Sequence, residues 1–340
     1  MATFDISTVP TLADVINHNS PAGGVNDILD VLAYKKRPLI EEGYWVRASD
    51  NTSHEMLINS TRPDATPVRY NMGAPFVNPT QTPKKEQLMR LETNFKIDVR
   101  ILEKSNDPVK YFTQKKKQAF EGMIDTFAKT ALTQGTFGNS ATNELSIDGF
   151  LKRRSTLGAN SVTIAAGSTG TGTLGSILVI KWGEEGAFFL HPKDGDRTIR
   201  EKDVTAGGKE ITTYDANGNP YQVLMVNWSW EFGIGIADET CVQRVCNIQP
   251  SGTNSFFDDA TNPFLGEDKL SDALARLPGG NTDNAAIYVG PVMYAQMMKR
   301  VRRGTSPITL SDMWGRQMLS FYGVPVLRDD FYAFTESTIS

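Results

Sequence analysis

Gly170-Thr-Gly172-Thr-Leu-Gly175 has the spacing of a phosphate-cradling loop, Gly-x-Gly-x-x-Gly. That chemistry needs a strand before the loop and a helix opening at the third glycine, whose N–H groups and dipole would hold a pyrophosphate. A strand-like run precedes the loop. The segment that follows, Ser176-Ile-Leu-Val-Ile-Lys-Trp, is rich in β-branched residues and reads as a second strand. The loop is therefore expected to join two strands and not to bind a nucleotide. His18, His54 and His191 sit in separate segments, none with a second histidine or a cysteine at ligand spacing. Asp258-Asp259 and Asp329-Asp330 are adjacent pairs whose side chains diverge, a poor arrangement for a general acid and base. Neither a Gly-x-Ser-x-Gly elbow nor a His-Glu-x-x-His pair occurs. Cys241 and Cys246, the two cysteines, exclude a disulfide framework and lie five apart, the wrong spacing for a metal knuckle. These residues imply no catalytic centre, no metal and no cofactor.

The remaining cluster of interest is basic. Lys115, Lys116 and Lys117, with Lys110 upstream, fall early in a helical pattern. Three consecutive lysines span most of a helix circumference, so they cannot all face one partner, and cations near a helix N-terminus are unfavourable. Two readings stand: contacts to phosphate or a neighbouring subunit, and an ordinary solvated helix face.

The helix beneath them is the most legible element. Asp107 suits an N-cap and Pro108 the first helical position. Val109, Phe112, Phe120, Met123, Ile124, Phe127 and Ala131 recur at helical spacing, and Gly135 suits a C-terminal cap. A helix over 107–134 would be roughly 40 Å long, more than a compact domain needs, and suited to bracing something extended.

Bulk properties fit a soluble, globular and slightly polar chain. The chain has 340 residues, a formal charge of −4 and a mean hydropathy of −0.32. Nothing in that charge calls for nucleic-acid binding. No run approaches the ~18 apolar residues of a membrane span, and no secretory signal opens the chain.

Along the chain, residues 11–17 and 24–34 read as short helices. Trp45-Val-Arg-Ala-Ser and His54-Glu-Met-Leu-Ile-Asn read as two sides of a ribbon, followed by an extended run from Thr61 to Tyr70. This region has too few apolar residues for its own core and is expected to lean on another copy of the chain. Residues 87–102 alternate at period two, a long half-buried strand. After Gly135, strands are expected near 161–166, 176–182, 187–190, 221–226 and 242–248, with a turn at Asp215-Ala-Asn-Gly-Asn-Pro. Past Asn262 the pattern becomes α/β: helices at 266–277, 291–303 and 310–322, with strands at 285–290 and 324–328.

This order of parts resembles the major capsid proteins of tailed bacteriophages with the Hong Kong 97-type fold, especially those of epsilon 15-like short-tailed phages. The similar stretches are Asp148-Gly-Phe-Leu-Lys-Arg-Arg, Ile177-Leu-Val-Ile-Lys-Trp-Gly, His191-Pro-Lys-Asp-Gly and Arg244-Val-Cys-Asn-Ile. Phe321-Tyr-Gly-Val-Pro-Val-Leu-Arg-Asp-Asp and Thr335-Glu complete them. The resemblance implies an α+β chain divided into an N-terminal arm (1–43), an extended E-loop (44–83) and a peripheral domain (84–165) carrying the spine helix. A β-rich segment (166–260), an axial domain (261–330) and a C-terminal strand (331–340) would follow. It implies a non-enzymatic shell subunit forming hexamers and pentamers around double-stranded DNA. Trp45, Arg47, Met56, Ile58, Arg62, Arg69 and Tyr70 would be the inter-subunit contacts of the E-loop. Partners would be further copies, with scaffolding, cement or decoration, and portal proteins, in a virion assembled in the bacterial cytoplasm. Some capsids of this fold cross-link through an E-loop lysine, but 44–83 contains none, so non-covalent assembly is expected. The short arm implies that any scaffold is a separate protein. An encapsulin-type compartment and another virion structural protein are the alternatives, with a nucleotide-binding enzyme more remote.

Overall fold

The computed structural model describes residues 37–61, 63–132, 136–137, 147–157, 162–170, 172–205, 210–215, 217–250, 254–259, 264–303, 308–313, 316–332 and 335–340. The helices expected at 11–17 and 24–34, and the cap at Gly135, lie outside these residues. The described chain divides into two compact units. One comprises Arg90–Thr130 and Thr198–Glu231, and the other Arg37–Met89, Ala131–Arg197 and Phe232–Ser340.

The first unit is organised by the long helix Pro108–Leu132. Asp107 caps it as expected: its Oδ1 accepts from the Lys110 N–H at 3.0 Å and its carbonyl from the Tyr111 N–H at 3.1 Å. Tyr111, Met123 and Phe127 are buried, whereas Val109, counted in the apolar stripe, is exposed. The strand Pro220–Ile236 presents Leu224, Val226, Trp228 and Trp230 at every second position. Phe120 meets Trp228 at a ring separation of 6.3 Å, and Phe127 meets Trp230 at 4.4 Å. Tyr111 joins a cluster with Ile97, Leu102, Phe95, Phe112 and Leu224. The predicted turn forms: Asp215 Oδ1 accepts from the N–H groups of Asn217 and Asn219, both at 2.8 Å, and Gly218 takes φ +83°.

The strand expected over 87–102 is instead Thr80–Asp98, followed by a helical turn, Val99–Leu102. Asp98 makes the switch by accepting from the Arg100 N–H at 2.9 Å and from its guanidinium at 2.8 and 3.2 Å. Val99 and Ile101 merely continue the alternation in sequence. The cap decides their conformation.

The second unit holds a seven-stranded sheet in the order Ile308–Met313, Arg316–Phe321, Val324–Arg328, Ala285–Val289, Gly175–Lys181, Val242–Ile248 and Thr163–Ala165. Helices Leu265–Ala275 and Pro291–Arg303 contribute Leu270, Ala273, Met293 and Met297 to a core shared with Ile177, Val179, Val245 and Ile287. The helix expected at 310–322 is a hairpin. Ile308–Met313 and Arg316–Phe321 pair antiparallel, with Leu310 opposite Leu319. Leu319 and Phe321 are buried at period two, and Phe321 pairs with Val324 across Tyr322-Gly323, whose φ angles are +48° and +84°. Two positive φ values make a primed hairpin turn, and pairing along the sheet overrides the apolar spacing read as a helix.

Candidate functional site: the ribbon, its root and its tip

The ribbon is built from Ser53–Thr61 and the start of Thr80–Asp98, paired antiparallel from Ser53 opposite Gln87 to Thr61 opposite Thr80. This corrects the expectation that Trp45-Val-Arg forms one of its sides. Trp45–Arg47 instead pairs parallel with Phe189–His191. Within the expected extended run from Thr61 to Tyr70, the ribbon strand ends at Thr61, and described residues 63–79 pair in no strand.

The two elements find different environments. Trp45 lies 5.1 Å from the Phe189 ring, at the edge of an aromatic group in which Trp182 donates its Nε1–H to Tyr288 Oη at 2.8 Å. Met56 packs on Ala48, Leu88, Phe188 and Leu190. Both were expected to need burial by another copy; each is half-buried on these partners within its own chain. Close backbone approach is required here. A Cβ on Gly235 would collide with the Phe188 ring.

A charged network fastens the root. Arg153 Nη1 and Nη2 donate to the two oxygens of buried Glu86 at 2.8 and 2.9 Å. Its Nε and Nη2 reach the carbonyls of Asp148 and Ile234 at 3.0 and 3.1 Å. Lys84 Nζ donates to the Ile236 carbonyl at 2.9 Å and pairs with Glu239. Arg154 also pairs with Glu239, at 2.7 Å. Burial pushes the Glu239 carboxyl up, but Lys84 and Arg154 outweigh it and leave its pKa below the usual range. His54 Nδ1 accepts from the Ser49 N–H at 3.1 Å, and burial against the Phe188 ring lowers its pKa despite nearby Glu86. A second network closes on Arg244, whose guanidinium donates to Ser176 Oγ, the carbonyls of Leu151 and Arg154, and Glu336 Oε2 at 2.7 to 2.9 Å.

Beyond Thr61 the ribbon tip is a different surface. Pro63, Pro67, Pro75 and Pro79 limit backbone freedom across it. Tyr70 sits in a turn closed by the Met72 N–H donating to the Arg69 carbonyl at 3.1 Å, with Asn71 at φ +68°. Val68, Tyr70, Met72, Phe76 and Val77 are exposed, Tyr70 at 101% and Phe76 at 106%. No self-satisfied core covers them.

The expected contact residues thus divide. Tyr70 and Arg69 are presented at the tip, Ile58 is half-buried in the ribbon, and Arg47 is spent on the Lys193 carbonyl at 2.6 Å. Arg62 lies outside the described residues. Phe76 and Met72, exposed beside Tyr70, were not among the expected contacts. Their signal was available, as large apolar residues among prolines in a segment without alternation.

The lysines are also dispersed. Lys116 pairs with Glu201, and Lys115 lies 5.8 Å from the centre of the Tyr111 ring. Lys110 is half-buried and Lys117 is exposed. The glycine loop opens no helix: Gly175–Lys181 is a strand, and the loop is tied to the chain's end. Leu174 and Glu336 exchange backbone hydrogen bonds at 3.0 and 2.9 Å, and the Thr338 N–H donates to the Gly170 carbonyl. Among the described residues, no group of histidine, cysteine, aspartate and glutamate could hold a metal, and no helix is long and apolar enough to cross a membrane.

A ribbon, a long helix and a mixed sheet under two helices fit the Hong Kong 97-type fold of phage capsids. The fold is similar to a chain in the structure of bacteriophage Epsilon15, with a TM-score of 0.67 and 19% identity, covering 100% of this chain and 99% of that one. Weaker similarity extends to the capsid of bacteriophage JBD30 (TM-score 0.47, 11% identity, 89% and 93% coverage). The SrpI encapsulin of Synechococcus elongatus PCC 7942 is comparably distant (TM-score 0.44, 9% identity, 71% and 96% coverage). No curated protein matches in sequence. Residues 20–340 match the family Major capsid protein GP7, and the chain belongs to that family. It is a major capsid protein, the self-assembling subunit of an icosahedral phage shell.

Proposed function

We propose that the chain forms both hexamers and pentamers, held without covalent cross-links by ribbon and arm contacts, around the double-stranded DNA of a tailed phage. The observation that carries this reading is the tip, where Tyr70, Met72 and Phe76 stand exposed together, Tyr70 and Phe76 completely. Covering each such side chain is worth roughly 1.5–3 kcal/mol, so repeated copies can supply a large association energy. Non-covalent assembly is supported by the lysines nearest the tip. Lys84 is engaged by Glu239 and the Ile236 carbonyl, and Lys85 lies 3.5 Å from Glu55.

In this reading the chain is not an enzyme and needs no cofactor. Packaged DNA is held by confinement, with local phosphate contacts from basic groups such as Lys117 and Lys110. Assembly occurs in the bacterial cytoplasm, with scaffolding, cement or decoration, and portal proteins as partners. Electron microscopy of the purified protein, paired with denaturing electrophoresis of the particles, tests it. Closed shells that dissolve wholly to monomers are expected. A protein that stays monomeric under all assembly conditions, or shells that leave a covalent ladder, would overturn it.

A further inference from the structure

A cleft of about 600 Å³ opens in the second unit, lined by Glu42, Tyr44, Trp182, Asp283, Tyr322 and Pro325 among others. Its walls are aromatic and its charges are negative. Neither the Glu42 nor the Asp283 carboxylate has a cationic partner among the described residues. Burial, reinforced by neighbouring Glu41, raises the Glu42 pKa, and no cation offsets it. Tyr44 and Tyr322 are 45% and 63% exposed beside these carboxylates, leaving open ring surface. Unpaired carboxylates between aromatic walls suit a guanidinium, which donates charge-assisted hydrogen bonds from its edge to carboxylate oxygens while stacking its face on a ring.

The same unit carries the complementary group. Arg69 is exposed at the ribbon tip, has no ion-pair partner among the described residues, and adjoins the fully exposed ring of Tyr70. The turn at 69–72 falls midway along the segment that joins the last ribbon pair, Thr61 and Thr80. Projection and cleft are separate surfaces of one chain, so joining them between copies makes a head-to-tail contact, the kind that closes into rings. One tip per cleft serves a ring of five as well as a ring of six.

We propose that the tip of one copy seats Arg69 and Tyr70 in the Glu42–Asp283 cleft of the next copy around the capsomer. This rests on the shell reading above and adds the docking site. It accounts for the unpaired acids and the uncovered tip with a single contact.

Two experiments on the full-length protein test it. First, Tyr70→Cys with Asp283→Cys should, on mild oxidation of assembled particles, give a denaturing-gel ladder ending at five and six chains, with neither single variant doing so. Cys241 and Cys246 are buried and should not interfere. Second, Arg69→Glu should lower particle yield at least about tenfold, with circular dichroism of the subunit unchanged. Adding Glu42→Lys and Asp283→Lys should restore the yield. Normal particles from the double-cysteine variant without a ladder, or a charge-reversed triple variant no better than Arg69→Glu, would overturn the docking site while leaving the shell reading intact. Failure of the unaltered protein to form any particle would instead remove the shell reading itself.

Discussion

Arg153 grips Glu86 through both of its terminal nitrogens, at 2.8 and 2.9 Å, where the ribbon leaves the body of its unit. Glu86 is only 7% exposed, and the same guanidinium also ties the carbonyls of Asp148 and Ile234. The ribbon therefore emerges from a fixed base, and its register begins beside a satisfied buried charge.

Removing one member of that pair leaves the other buried and unpaired. Arg153→Ala should lower unfolding free energy by about 3–5 kcal/mol, measured by urea denaturation of the unassembled subunit. A loss under about 1 kcal/mol would mean that water reaches Glu86 freely.

The tip should be dispensable for folding and needed for assembly. Thr61 and Thr80 are paired, so replacing 62–79 by Asn-Gly gives a hairpin of natural geometry. Unchanged thermal unfolding together with loss of particles is expected. Normal particles by electron microscopy would rule out the tip as an assembly contact.

Asp329 provides a pH signature. Its side chain is fully buried, Oδ1 accepts from the Phe331 N–H at 2.8 Å, and Oδ2 has no partner. Burial, with Asp330 adding repulsion, raises its pKa to about 7. The folded state therefore binds the proton more tightly than the unfolded chain. That stability is complete below about pH 4 and is lost as pH rises through about 7, amounting to roughly 4 kcal/mol. Asp329→Asn should flatten this part of the profile. Parallel wild-type and variant curves from pH 4 to 8 would show that Asp329 does not titrate there.

In the first unit, Phe127 stacks against Trp230 with ring centres 4.4 Å apart and no solvent exposure. Phe127→Ala should cost about 3–5 kcal/mol in denaturant titrations, as a cavity opens between helix and strand. Lys116→Ala, which breaks only a part-exposed pair with Glu201, should cost no more than about 1 kcal/mol. Equal losses from the two changes would contradict this division of labour.

The sequence by itself determined what local physics controls. Asp107-Pro108 and the apolar repeat specified the long helix, Asp215 to Pro220 specified a turn, and the scarcity of apolar residues across 44–83 marked a segment without its own core. The three-dimensional structure decided what depends on partners far along the chain. Trp45 and Met56 looked orphaned because Phe189 and Leu190 lie more than a hundred residues away in sequence. Ile308–Phe321 became a hairpin because Val324–Arg328 offered it a strand to join. Arg153, Arg154 and Arg244 read as ordinary charges in similar-looking stretches until Glu86, Glu239 and Glu336 closed around them. Caps and turns draw their hydrogen bonds from a few neighbouring residues, so sequence exposes them. Sheet register and buried ion pairs are chosen by whichever distant groups the completed fold brings within reach.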